Sequence, residues 1–294
     1  MTALSAHVTR EVDRAAVQRW LPQLGKWLLP PGASYGVQHT WPQLYRSDGK
    51  GRFFVVTDGD ELVGHCATRI VTVHGADGPF ACCLVGSVAT APERRGEGVA
   101  TAVLTAALAA NADDAAHALL WAETPTLYER LGFVAGATED FLLLARRPLA
   151  QQPDVRVMTV ADHAAAHALH QQKPLRVERD AATMSGLLTT PGMNALVLER
   201  DGAVVAYACC GKGADLQGHW HEFGGDDADV ATLLLAGMHR LGQTDAIVLL
   251  PPWRRRLRAA LGAGVIEAIP VPGPMHRSVG DALPACWIDG LDSV

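Results

Sequence analysis

Arg95-Gly96-Glu97-Gly98-Val99-Ala100 constrains the fold of this chain more than any other stretch. It follows an apolar, strand-like run, Cys83-Leu84-Val85-Gly86-Ser87-Val88-Ala89-Thr90, which Pro92 breaks. It leads into Val99, Val103, Leu104 and Leu108, an apolar face at helical spacing. A strand, a glycine-rich bend and a helix start in succession aim several backbone N–H groups at one point. The positive end of the helix dipole lies at the same point. A bulky anion can approach a backbone closely only where no Cβ stands in the way. The local physics therefore predicts a pyrophosphate cradle. The stretch contains no Gly-x-Gly-x-x-Gly and no Lys-Ser/Thr pair, which argues against a nicotinamide or ATP site.

A second segment adds to the first. Ala118-Leu119-Leu120-Trp121-Ala122 reads as another buried strand. Pro125 suits the first turn of a short helix that runs through Leu127-Tyr128-Glu129-Arg130-Leu131, with Gly132 as its stop before Phe133. With both segments in place, residues 50–145 resemble the GCN5-related N-acetyltransferase (GNAT) superfamily. Arg95-x-x-Gly98-x-Ala100 is similar to that family's Arg/Gln-x-x-Gly-x-Gly/Ala loop for the acyl-CoA pyrophosphate. Tyr128-x-x-x-Gly132-Phe133 is similar to its tyrosine-bearing motif, and Gly86-Ser87-Val88-Ala89-Thr90-Ala91-Pro92 resembles the Eis-type branch.

The resemblance implies a reaction and roles. A neutral amine attacks the thioester carbonyl of acetyl-CoA, the co-substrate, so oxygen gains negative charge and sulfur leaves as thiolate. A backbone N–H on the strand holding Val88 would polarise the carbonyl. Val88, Ala89 and Thr90 would hold the pantetheine arm like an added strand. Arg95, Gly96, Glu97, Gly98, Val99, Ala100 and Thr101 would hold the diphosphate, and Tyr128 would protonate the departing sulfur. Glu97 places a carboxylate in the loop, tolerable if its side chain turns to water, with Arg94 and Arg95 offsetting the charge. For the base, Glu123, His65, His74 and a water chain stay open. In Eis-type relatives a terminal carboxylate reaches the site, which directs attention to Gly290-Leu291-Asp292-Ser293-Val294.

Composition narrows the partners. The 294 residues are 49% hydrophobic and 19% charged, which suits a globular protein with two domains or one large one. A net charge of −6 gives no reason to expect nucleic acid. No apolar run approaches a membrane span, and Met1-Thr2-Ala3-Leu4-Ser5 does not open a signal peptide, so a cytoplasmic location is expected. The pairs Cys82-Cys83 and Cys209-Cys210 lie on strand-like segments whose neighbours face opposite ways; they read as small, reduced core residues, and no metal site is expected.

The second half echoes the first. A linker at Arg147–Pro153 separates residues 1–148, the acyl-CoA-binding domain, from 154–294. Asp58-Gly59 with its flanking apolar runs returns as Asp201-Gly202, each an expected hairpin. Val99-Ala100-Thr101 returns as Val230-Ala231-Thr232, and Ala118-Leu119-Leu120 as Ala246-Ile247-Val248. The expected fold is α/β (α+β): two tandem GNAT-like domains, each a mixed twisted sheet flanked by helices. In the copy Asp226, Asp227 and Asp229 stand opposite Arg95, Gly96 and Gly98, and Arg258 opposite Tyr128. Carboxylates there cap a helix but repel a diphosphate: like charges ~4 Å apart cost about 4 kcal/mol at an effective dielectric of ~20. The second domain is expected to be degenerate.

Three other patterns read as surface. His163, His167 and His170 are expected on a solvated helix face rather than around zinc. His219-Trp220-His221-Glu222 is expected on a half-exposed strand, and Arg254-Arg255-Arg256 with Arg258 on a solvated helix. The function expected is transfer of an acetyl group from acetyl-CoA to a primary amine of a small molecule or a protein. The alternatives are a catalytically silent acyl-CoA-binding regulator and a mycothiol synthase-like acetyltransferase. A homodimer is left open.

Overall fold

Two hairpins about Asp58-Gly59 and Asp201-Gly202 seed two sheets. The computed structural model describes residues 8–149 and 153–294; Met1–Ser5 and linker residues 150–152 lie outside the described residues. The strands of the first half are β1 (Val8–Val12), β2 (Arg52–Asp58), β3 (Glu61–Gly75), β4 (Gly78–Thr90), β5 (His117–Leu120) and β6 (Thr138–Ala145). Those of the second are β7 (Val155–Val157), β8 (Arg176–Val177), β9 (Asn194–Arg200), β10 (Ala203–Cys210), β11 (Trp220–Gly225), β12 (Asp245–Leu250), β13 (Val265–Pro272) and β14 (Met275–Ser278). Helices α1 (Arg14–Gln18), α2 (Leu21–Leu28), α3 (Val37–Thr40), α4 (Pro42–Tyr45), α5 (Val99–Ala110) and α6 (Pro125–Glu129) belong to the first half. Helices α7 (His163–Gln171), α8 (Ala181–Leu188), α9 (Asp227–Arg240) and α10 (Arg255–Leu261) belong to the second.

The first sheet runs β1-β2-β3-β4-β5-β14, with β8 added to β3; the second runs β13-β6-β12-β11-β10-β9-β7. Each is mixed, with its parallel pair at β4/β5 and at β11/β12. The two sheets follow one plan, as expected of two GNAT-like domains, with one exchange. The neighbour of β5 is β14, from the end of the chain, and the neighbour of β12 is β6, from the first half. Two strands of the second half, β8 and β14, thus join the first sheet and one strand of the first half, β6, joins the second, so the sheets do not divide at the linker.

Both faces of the first sheet are buried, which is why β2 reads as a continuous apolar run. Phe54 and Val56 pack under α5, while Phe53 and Val55 pack under α1–α4. Cys82, Cys83, Cys209 and Cys210 are buried and free, the small core residues expected of them. No helix among the described residues is long and apolar enough to cross a membrane.

Candidate active site

The front of the site is the turn from β4 into α5. β4 pairs with β5 only at Cys82–Leu84, opposite His117–Leu119. Beyond Leu84 its far end has no β5 partner, and Val88 and Thr90 are half-exposed along the edge of that wedge. Gly96 and Gly98 have φ of +84° and +81°, left-handed conformations that a Cβ would strain. The space a Cβ would fill at either glycine is open, as a cradle for a bulky anion requires. The first hydrogen bond of α5 runs from the Ala102 N–H to the Gly98 carbonyl at 2.9 Å. The Val99, Ala100 and Thr101 N–H groups precede it and point out of the helix end. Arg95 is exposed beside them.

Glu97 does not crowd this end. Its carboxylate is held 2.8 Å from the Arg94 guanidinium, which also bonds Asp58 at 2.9 Å. The Glu97 N–H turns back to the Arg94 carbonyl at 3.4 Å rather than outward. Gly64 on β3 lies directly under the helix start: a Cβ there would run into Val99 Cγ1. That close approach fixes the height of the helix end above the sheet, and no local sequence signal announces it.

Tyr128 sits on α6, which begins at Pro125 and is followed by Gly132 at φ +85°. Its ring meets Phe133 edge-on at 6.2 Å. Tyr128 and Val88 pack against one cluster that contains Val99, Cys66 and Phe133, so three sequence-expected positions converge there. Burial pushes the phenol up to about 12, with Cys66 adding to it, so Tyr128 holds its proton at neutral pH and can only donate it.

The expected bases separate. His65 is fully buried, donates from Nδ1 to the Ser87 carbonyl at 2.8 Å, and is lowered to about 4 by burial. His74 lies about 30 Å further along β3 and sits 3.5 Å from Glu178. Glu123 is exposed just past β5.

The segment to which the family resemblance directed attention, Gly290–Val294, covers the other face of the wedge; the buried charges that hold it there are what sequence reasoning missed. Residues 286–294 cross the sheet face opposite α5, where Ile288, Cys286 and Val294 pack with Leu84, Leu119 and Trp121. A Cβ at Gly86 would run into the Val294 carbonyl carbon, so only glycine admits the tail at that point of β4. Buried charges hold the tail. Asp292 pairs with Arg69 at 3.1 Å and with Arg179 Nε at 2.9 Å. Arg179 bonds Glu222 at 2.8 Å, and Lys173 bridges Glu222 at 2.6 Å and Asp289 at 2.8 Å. Lys212 bonds the Ser293 carbonyl at 2.9 Å, and Gly290 packs flat on the His221 ring. His170, Glu222 and Asp289 bring ligand-type atoms together, but the Lys173 ammonium already fills the cation's place between the two carboxylates. Arg69, a lone charge within the apolar run of β3, is the signal that could have pointed to this cluster.

The patterns read as surface divide: Arg255, Arg256 and Arg258 are exposed as expected and His167 and His219 are half-exposed, whereas His163, His170, His221, Glu222 and Arg254 are buried. His163 and His170 are inside, and each histidine of α7 makes its own bond: His163 to Ser185 at 2.8 Å, His167 to the Arg179 carbonyl at 2.7 Å, His170 to the Val177 carbonyl at 2.8 Å. They fasten α7 to the 176–185 segment and do not converge on a metal. His221 and Glu222 are buried because the tail covers β11. Arg254 is buried against Phe223 and bonds Asp227 at 2.7 Å, while Asp229 pairs with Arg200. The α9 start therefore carries its own carboxylates, Asp227 and Asp229 paired with arginines, beside a cavity of about 590 Å³ that Asp226, Asp227 and Arg254 line. Arg255 and Arg258 line a cavity of about 730 Å³ where the exchanged strands meet, with Glu139, His276 and Trp287 on its other walls.

Residues 10–136 match the family model described as acetyltransferase (GNAT) domain. Among solved structures, a GCN5-related N-acetyltransferase from Kribbella flavida aligns at 18% identity and a TM-score of 0.65, covering 92% of this chain and 71% of that one. Saccharomyces cerevisiae N-myristoyltransferase with bound myristoylCoA aligns at 10% identity and 0.64, covering 94% and 84%. Eis1 from Mycobacterium abscessus aligns at 13% and 0.61, covering 92% and 73%. At these identities the likeness is one of fold. No curated protein matches the sequence.

Proposed function

We propose, from the premise that residues 10–136 form an acetyltransferase (GNAT) domain, that the protein moves an acetyl group from acetyl-CoA to a primary amine. The observation that carries this reading is one arrangement. An open helix end behind two left-handed glycines lies on one side of the β4 wedge, and a proton-holding tyrosine lies on the other.

In this reading the N–H groups of Val99, Ala100 and Thr101, with Gly96 and Gly98 clearing the approach, hold the diphosphate. The half-exposed edge Val88-Ala89-Thr90 takes the pantetheine arm as a strand would, and Arg95 adds charge from the rim. The amine nitrogen bonds to the thioester carbon while the Val88 N–H stabilises the oxygen. As the C–S bond breaks, sulfur takes its proton from the Tyr128 phenol, and the amine's surplus proton leaves to water. Residues 1–148 would carry the chemistry. Residues 154–294 would be a degenerate GNAT-like domain, because Asp226 and Asp227 at its own helix start would repel a diphosphate. All six cysteines are free, which fits a reducing, cytoplasmic setting.

Tyr128→Phe tests the reading against that of a silent acyl-CoA-binding regulator. The enzyme loses turnover by about 100-fold or more and keeps its affinity for coenzyme A in a titration. Unchanged thiol release from acetyl-CoA in the variant would sink the assignment of Tyr128, and absence of any heat with coenzyme A would sink the cradle.

A further inference from the structure

Ser87 is an anomaly in the middle of a strand. Among the described residues only Ser87 and Asp201 are non-glycine residues at positive φ. Asp201 occupies a hairpin turn, where that conformation belongs. Ser87, at φ +51°, lies inside β4, where the sequence gives it no such reason. A side chain held there persists only when its surroundings over-determine it.

The surroundings do so. The β3–β4 register pairs His65 with Ala89 and Ala67 with Gly86, so Cys66 alone faces both Ser87 and Val88. One extra residue on β4 makes a bulge, and a bulge leaves one residue's N–H outside the ladder. Two buried side chains grip the bulge at Ser87. The Tyr45 hydroxyl is 2.6 Å from Ser87 Oγ, and His65 Nδ1 is 2.8 Å from the Ser87 carbonyl. A carbonyl only accepts, so Nδ1 carries the hydrogen. The two rings cannot swing away, because Tyr45 stacks on Phe53 at 5.3 Å and His65 lies 6.2 Å from the same ring. On the adjoining residue, Gly86 is pressed against Val294.

We infer that Tyr45 and His65 are positioning residues for the transfer reaction. By clamping Ser87 in the left-handed region they turn the neighbouring Val88 N–H out of the sheet and into the wedge, where it meets the thioester oxygen. The inference rests on the proposed acetyl transfer and adds to it the residues that set the oxyanion donor. Neither side chain touches substrate. Their effect is one of aim, and an amide aimed wrongly by a fraction of an ångström loses most of its value to a developing oxyanion.

The test uses the 294-residue chain and thiol release from acetyl-CoA with water as the acceptor, so no amine has to be known. Tyr45→Phe keeps the ring stack and removes one hydroxyl; Ser87→Ala removes the same contact from the other side. Each lowers kcat by about tenfold or more and leaves KM for acetyl-CoA and the affinity for coenzyme A within about twofold, because the diphosphate loop is separate. Ser87→Gly takes a left-handed φ without a clamp, so Tyr45→Phe combined with Ser87→Gly recovers kcat relative to Tyr45→Phe alone. Full kcat in Tyr45→Phe, or no recovery in the double variant, overturns the clamp. Parallel losses of kcat, coenzyme A affinity and thermal stability overturn it as well, since a merely structural tyrosine would give them. Wild-type protein that neither binds coenzyme A nor releases thiol overturns the proposed function, and the clamp with it.

Discussion

The guanidinium of Arg69, inside β3, lies 3.1 Å from the carboxylate of Asp292, which follows it by 223 residues, and both are buried. The pair joins the first sheet to the tail that covers it. Burial alone would raise the Asp292 carboxyl; Arg179 and Arg69 overcome that and hold it below its ordinary range. A buried pair of this kind adds little net stability over an apolar replacement, but removing one partner strands the other. Its value is geometric, because it sets where Val294 meets Gly86.

Asp292→Asn is therefore expected to cost about 3 kcal/mol or more, since Arg69 loses its anion and Arg179 keeps only Glu222 of its two carboxylates. Activity should fall further than the folded fraction, because residues 286–294 form one wall of the wedge. Urea midpoints and thiol release, measured at a temperature where the variant is folded, separate the two effects. Equal loss of both would mean that the tail shapes stability alone.

A second expectation concerns Gly64, whose missing Cβ lets Val99 close down on β3. In Gly64→Ala the helix start must shift or Val99 must leave its rotamer, an overpacking cost of about 1–3 kcal/mol. The cradle moves with the helix, so affinity for coenzyme A should weaken as stability falls. Calorimetric titration of the variant against Gly59→Ala, at an open hairpin turn, gives the comparison. Coenzyme A affinity equal in both would show that the height of α5 does not matter.

What could be read from the sequence was local. The two left-handed glycines, the proline opening α6 and the Asp-Gly turns each declare a backbone conformation within a few residues, and each stands where it was expected. The exchange of β6 and β14 could not be read, because an apolar run does not say which sheet it completes. His221 and Glu222 looked half-exposed since polar residues alternate with apolar ones there; a distant tail covers them. The carboxylates at the α9 start were legible as a barrier to a diphosphate, but their partners Arg254 and Arg200 come from other elements. Gly64 and Gly86 gave no warning, because nothing in their own segments names Val99 or Val294 as the neighbour.

Acid should loosen the molecule through its buried histidines. Burial holds His221 down at about 3, Lys212 lowering it further, and His65 down at about 4. An unfolded histidine takes up its proton near 6.5. Both depressed groups therefore contribute stability that is complete above 6.5 and is lost as pH falls toward their folded values. From 6.5 to 4 each is worth roughly 3 kcal/mol by linkage. Glu139 opposes them: burial raises it to about 7, so it favours the folded state as pH drops below 7. Its side chain is partly exposed, which shrinks that contribution, and two histidines outweigh one carboxyl. The unfolding free energy should fall from pH 6.5 to 4.5 with a slope near one proton or more, about 1.4 kcal/mol per pH unit for each. His221→Leu removes one of those protons and should flatten the slope by that amount, although it lowers stability at pH 7.5. Urea unfolding at five pH values in both proteins measures it; parallel slopes would mean that His221 is hydrated and titrates like an exposed histidine.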